Sequence, residues 1–423
     1  MTSYVANNTN PSSLYDFLLQ QMAAESYFET ADTYSTPNAT KETLTRGTNR
    51  VGYKNPPLPF NEGYPGLTRM TDSQAEEFVR KFQIIHQWSD NPAISADPLL
   101  SGKRPAGLND AGYLELDGQQ ILANTGLSAT LIRVKAPNGD LTNEYTLAIR
   151  STEFRPFADG GDYQRDKSGA DTAILAVGFA LAQLNALEYY YQWLLVNNKL
   201  PINANLNVTG YSLGGHLATV FTEIHQGEMN DGQTVTFNGA GRGSFNAGVG
   251  SLSQMLADYR QLLLNVNAEG GRPGQSDPAG GALYDDALNA QTAHTPVDPL
   301  SIYADPRHLW AEHVIQHKYS TAFSFLADEN RVGDSTMGGI TQVWGKEIPH
   351  NANMTANSGI HGPALGVFIE SQPLTEGWPA PLFGNSDFGN GHAIVLLADS
   401  LALMRVMQQL VPSATIKELT ADL

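Results

Sequence analysis

Leu206-Asn207-Val208-Thr209-Gly210-Tyr211-Ser212-Leu213-Gly214-Gly215-His216 reads as a strand that runs straight into a helix. Leu206 to Gly210 have strand character, and Leu217, Val220, Phe221 and Ile224 follow at i, i+3, i+4 and i+7, the spacing of an amphipathic helix. Between the two, Gly210, Ser212 and Gly214 fit the pattern G-x-S-x-G. The turn this pattern makes is so tight that its flanking positions must lack side chains, and it thrusts the serine hydroxyl out at the edge of a sheet. The amino end of the helix that follows favours negative charge developing there. Ser212 is therefore the candidate nucleophile. Leu213, whose N–H comes next, is the first candidate donor for an oxyanion hole.

Working upstream, Ser128 to Ala136 and Leu141 to Ile149 are β-rich runs joined by Pro137-Asn138-Gly139-Asp140, a strong hairpin signal. Tyr113, Leu114, Leu116 and Ile121 suggest shorter β segments. The second run ends in Arg150-Ser151-Thr152, and a loop after an earlier strand supplies the second oxyanion donor in this kind of site. Thr152 is the residue in that place. A Gly- and Asp-rich loop leads into one long helix expected over 171–198. Its apolar positions recur at helical spacing, and Gln183, Asn185, Glu188 and Gln192 interrupt them, so it reads as a buried helix and not as a membrane span.

Nearer the start, Leu14, Phe17, Leu18 and Met22 predict a helix capped by a serine of Pro11-Ser12-Ser13. Thr71 with Gln74 forms a capping box before a helix expected to carry Phe78, Phe82 and Ile85 on one face. Residues 1–112 are read as a helical extension packed on a core domain, 113–423. Downstream of the serine, Thr234 to Phe237 is a strand, and Arg242 to about Arg307 is rich in Gly, Pro, Asp and Asn, with one helical piece at Leu252 to Leu264. An insertion this long, about 242–318, reads as a lid or cap. Tyr319 to Phe325 and Ile340 to Trp344 are further expected strands, and Ala393 to Leu410 is a last, packed helix. Strands alternating with helices predict an α/β fold with a mostly parallel sheet flanked by helices.

A serine nucleophile needs a base and an orienting acid. Of the ten histidines, His392 in Gly389-Asn390-Gly391-His392-Ala393 sits on a glycine-rich loop before the last helix and can lean over the nucleophile. His361 is its competitor. His216 lies on the helix after the serine and points away, a structural residue. His313 and His317 stand at i, i+4, more like a helix face than a metal clamp. The acid should follow a later strand and precede the histidine. Asp334 is favoured, beside Ser335 and Thr336, with Asp328 as the alternative.

Composition narrows the function classes. Hydrophobic residues are 41% of 423, ample for a large core. Lys and Arg number 25 against 43 Asp and Glu, a net charge of −18 with no basic run, which argues against a nucleic-acid partner. The absence of cysteine excludes thiolate catalysis, disulfides and cysteine-ligated zinc. The first basic residue is Lys41, so no secretory signal with a basic start is read. No metal site is assigned and no cofactor is required, although Asp162, Asp166 and Asp171, and Asp285 with Asp286, are oxygen-rich clusters that could take calcium.

Arg150-Ser151-Thr152 after an apolar strand, Gly210-Tyr211-Ser212-Leu213-Gly214-Gly215 and the late His392 together resemble the class 3 lipases. The likeness is nearest to the lipase-like domains of bacterial proteins exported by type I secretion. Thr152 matches that family's oxyanion residue and Ser212 its nucleophile. Ser151 stands where the family has glycine, and Asn330 precedes Val332 where the family has aspartate. The resemblance implies an α/β-hydrolase fold and a serine carboxylic-ester hydrolase, a lipase or esterase acting on acylglycerols or other lipid esters at a lipid–water interface. Phospholipase A-type activity, or a non-catalytic module of a larger exported protein, are the alternatives. Phe17, Phe28, Trp310 and Phe323 are apolar material for an acyl groove. The implied location is outside the cell without a cleaved signal, or otherwise the cytoplasm.

Overall fold

The structure, a computed structural model, describes residues 10–26, 28, 31–46, 70–89, 113–116, 119–122, 125–153, 162, 165–243, 245–268, 306–319, 340–347, 365–369, 394–414 and 418–419. Among these, seven strands form one sheet in the order β1-β4-β5-β6-β7-β8-β9. They are β1 (Phe82–Ser89), β4 (Ser128–Lys135), β5 (Leu141–Ile149), β6 (Asn205–Tyr211), β7 (Thr234–Phe237), β8 (Ile340–Glu347) and β9 (Leu365–Ile369). Strands β1, β4 and β5 pair antiparallel, and every pairing from β5 to β9 is parallel. The expected parallel arrangement thus holds from β5 to β9, and β1 and β4 extend the sheet antiparallel. The short strands β2 (Tyr113–Leu116) and β3 (Gln119–Leu122) form a separate antiparallel pair.

Side-chain alternation along the strands divides the interior into two cores. Tyr145, Leu147 and Ile149 of β5, with Leu206 and Val208 of β6, face one side. That side is covered by α4 (Asp171–Val177), α5 (Leu181–Val196), α6 (Leu213–His225), α7 (Leu252–Ala268) and α8 (Pro306–Tyr319). Ala148, Tyr211, Val235 and Phe237 face the other side. There they meet α1 (Pro11–Ala24), α3 (Asp72–Lys81) and α9 (Ile394–Leu410). The remaining helix, α2 (Pro37–Arg46), packs on α3. Strand β6 is buried on both faces, as a central parallel strand must be.

Several expectations are corrected. The helix after the Thr71–Gln74 capping box exists, with both reciprocal hydrogen bonds, but it ends at Lys81. Phe82 to Ser89 is strand β1 at the edge of the described sheet: Phe82 and Ile84 face the core of α1 and α3, and a register shift against β4 between Ile84 and His86 turns His86 and Trp88 to the opposite core, against Tyr190. The cap of α1 is Asn10, two residues before the first of the serines expected in that role. Asn10 accepts the Ser12 N–H at 2.8 Å, and Pro11 occupies the first helical position, where a missing N–H costs nothing.

The single helix expected over 171–198 is two. Gly178 adopts φ 85° and ends α4 with its N–H on the Ile174 carbonyl at 2.9 Å, and α5 begins at Leu181. Tyr319 closes α8 and does not start a strand, while residues 320–325 lie outside the described residues. Trp310, Ile315, Met255 and Tyr259 are buried in the same core as α5, and residues 269–305 of the expected lid or cap lie outside the described residues. Phe17 and Phe28 belong to one core and Trp310 to the other, all three buried, so they do not line a common acyl groove. Phe323 lies outside the described residues. Among the described residues no helix is long and apolar enough to cross a membrane.

Candidate active site

Ser212 sits between β6 and α6 with φ 53° and ψ −122°. A side-chain-bearing residue held there costs about 1–3 kcal/mol and persists only where its surroundings determine it. They do so here. The Ser212 N–H donates to the Phe237 carbonyl at 3.2 Å, tying it to the end of β7. Its carbonyl accepts from Gly215 N–H at 2.9 Å and from Ala240 N–H at 2.8 Å.

The flanking glycines are needed for space. A Cβ on Gly210 would stand 2.0 Å from the Gly214 carbonyl oxygen, and one on Gly214 would stand 2.2 Å from the Ile149 oxygen. A Cβ on Gly215 would stand 2.4 Å from the Gly239 Cα. Thus the serine turn is pressed against the ends of β5 and β7 with no room between backbones.

Thr152 leaves the same edge. In the parallel pairing Ile149 stands opposite Gly210, so residue 152 and residue 212 emerge from the carboxyl ends of neighbouring strands, where sites of such sheets lie. Leu213, the other oxyanion candidate, opens α6, and the first N–H groups of a helix have no intrahelical acceptor. Thr152 is buried, and its hydroxyl donates to Asp171 Oδ2 at 3.4 Å.

The residues around Thr152 are held by buried polar groups from two directions. On one side is Glu25, fully buried at the carboxyl end of α1. Its Oε1 accepts the Ser151 N–H at 2.9 Å, and its Oε2 accepts the Ser151 hydroxyl at 2.7 Å. Gln21, one turn earlier, donates to Glu25 Oε1 and to the Ile149 carbonyl, each at 2.9 Å.

On the other side Arg150 donates to Glu153 at 2.8 Å, and Arg165 donates to Asp162 at 2.7 Å. Asp166 accepts from the Glu153 N–H at 2.6 Å and from Gln183 at 2.7 Å. Burial, and then the charge of Asp162, push the Asp166 carboxyl well above the usual range, against the lowering effect of the Glu153 N–H and of Arg150. Of the aspartates considered for calcium, Asp162 and Asp166 thus hold arginine, amide and backbone donors. Among the described residues no group of three or more ligand side chains could hold a metal ion.

His216 is fully buried and fixed in one tautomer. Its Nδ1–H donates to the Gly241 carbonyl at 2.7 Å, and its Nε2 accepts the Ala180 N–H at 3.1 Å. Burial lowers its pKa to about 4, so the ring is neutral. It ties the break between α4 and α5 to the loop after β7, the structural part expected of it. His313 and His317 are exposed on α8. His392, His361, Asp334 and Asp328 lie outside the described residues, so the structure brings Ser212, Leu213 and Thr152 to one edge without bearing on the base or the acid. Ile394, which opens α9, follows His392 by two residues.

The role of Glu25 and Gln21 was absent from the expectations. A glutamate at a helix end carries no sequence signal for a partner so far along the chain, and only the alternation of α1 places that face inward.

No family model and no curated protein matches the chain. Among solved structures it is similar to the Lip2 lipase from Yarrowia lipolytica, at 16% identity and a TM-score of 0.26, over 60% of this chain. That alignment spans 66% of the lipase, just under two thirds of its length. It is also similar to a thioesterase domain from the curacin biosynthetic pathway, at 12% identity and a TM-score of 0.24, over 69% of this chain and 97% of that one. At TM-scores this low neither likeness bears on the chemistry, which rests on the geometry of this chain alone.

Proposed function

We propose that the chain is a serine carboxylic-ester hydrolase of α/β-hydrolase type. The observation that carries this reading is the backbone of Ser212, held at φ 53° and ψ −122° between a parallel strand and a helix by glycines that cannot bear a side chain. A protein keeps such strain where function needs it. In this reading the Ser212 hydroxyl attacks the ester carbonyl. His392 takes the proton and returns it to the leaving alcohol, and Asp334, or Asp328 in its place, holds the imidazole. The N–H groups of Leu213 and Thr152 bind the oxyanion. An acyl-enzyme forms, and water releases it with His392 again as base. Within this class, acylglycerols or other lipid esters are the proposed substrates, with phospholipase A-type cleavage as the neighbouring specificity.

The test is covalent labelling with a fluorophosphonate. Wild-type protein should be modified at Ser212, and Ser212→Ala should take no label while melting like the parent. A folded wild-type protein that stays unlabelled overturns the enzymatic reading and leaves a binding module on the same fold.

A further inference from the structure

The oxyanion loop is not held by the sheet alone. We propose that Glu25, with Gln21, is a positioning residue for the reaction, and that α1 sets the donor geometry of Thr152 through Ser151. This rests on the reading of Ser212 and Thr152 as nucleophile and oxyanion donor.

Glu25 stands where a carboxylate is unwelcome twice over. It occupies the carboxyl end of α1, where the helix dipole favours cations, and it is fully buried. Among the described residues three hydrogen bonds reach its carboxylate, and two of them come from Ser151. One carboxylate therefore grips both the N–H and the hydroxyl of the residue directly before Thr152. Gln21 at the same time binds the carbonyl of Ile149, the last residue of β5. Residues 149 and 151 are both tied to one helical turn, which removes the freedom of the peptide leading into Thr152. The serine at 151 is explained in the same way, since glycine would supply the N–H and not the second bond.

Hydrogen bonds to a charged group are roughly twice as strong as neutral ones, so a carboxylate holds this peptide better than an amide would. The partner that Thr152 must match is Leu213 on α6. That helix is itself fixed against β5 by the close approach of Gly214 to Ile149. The carboxyl end of β5 is thus the common reference for both donors, and α1 grips the far side of it.

The experiment uses the full chain, p-nitrophenyl butyrate as substrate and a fluorophosphonate as probe, with Glu25→Gln, Ser151→Ala and the double variant. The expected result is a kcat reduced about 10- to 100-fold in Glu25→Gln, with KM within about twofold, because a misplaced donor is felt in the transition state. Ser151→Ala should lose less, and the double variant should lose no more than Glu25→Gln, since both act through one contact. Unchanged kcat in Glu25→Gln, a loss in KM alone, fully multiplying losses, or loss of the fold in Glu25→Gln each overturn the assignment. Failure of the functional reading looks different, because Ser212 of the wild-type protein would then take no label at all.

Discussion

Gly214→Ala tests whether the serine turn really touches β5. The added Cβ would lie 2.2 Å from the Ile149 oxygen and 2.8 Å from the Arg150 oxygen, both main-chain atoms that no rotamer change can move aside. To reach the 3.0 Å below which real contacts do not go, the start of α6 must retreat from β5 by about 0.8 Å. Overpacking of this kind costs about 1–3 kcal/mol. The retreat also separates Leu213 from Thr152, and a misplacement near 1 Å costs about 100-fold in rate. The assay is the second-order rate of fluorophosphonate inactivation beside a urea melt. Two alanine controls separate clash from backbone strain. Gly227 has open space and no left-handed φ, so Gly227→Ala should be neutral. Gly139 has open space but φ +89°, so Gly139→Ala should cost stability by about 1 kcal/mol and leave labelling unchanged. Gly214→Ala with the stability and labelling rate of Gly227→Ala would refute the close approach on which the site's geometry depends.

Other outcomes follow from the buried polar groups. Burial holds both His86 and His216 neutral with pKa lowered to about 4, below their unfolded value of 6.5. The unfolded chain therefore binds more protons between those values. Their contribution to stability is complete above pH 6.5 and is lost as pH falls toward 4, by on the order of 3 kcal/mol per ring at most. Urea melts at pH 7.5 and 4.5 should show this fall, and it should shrink in His216→Gln; an identical fall in that variant would exclude the ring as its source. Arg165→Met removes the 2.7 Å partner of buried Asp162 but leaves Arg150 at 3.8 Å, and should destabilise by about 1–3 kcal/mol; an unchanged denaturant melt would refute the pairing.

What the sequence made legible was decided by contacts near in the chain. The steric demands of Gly210, Gly214 and Gly215 lie within or beside one turn, so the pattern alone placed Ser212 between strand and helix. The hairpin at Asn138-Gly139 and the Thr71–Gln74 box are equally local. Phe78, Phe82 and Ile85 fit a helical stripe, yet Phe82, Ile84, His86 and Trp88 fit a strand as well, and pairing with β4 decided between the two. Gly178 ended α4 inside an apolar stretch whose spacing stayed helical on both sides, so the break left no trace in the periodicity. The grip of Glu25 on Ser151 depends on two segments brought together by the sheet, and no pattern within either announces it.

Helix α1 packs on α9, and the Arg405 guanidinium lies 4.3 Å above the Tyr15 ring while pairing with Glu77 of α3. The earliest and latest described helices therefore complete one another's apolar surface. During synthesis α1 must wait, its greasy side bare, until residues 394–410 have left the ribosome. Whatever α1 contributes to the loop before Thr152 arrives equally late, so a chain halted before residue 394 would carry Ser212 in an unfinished setting.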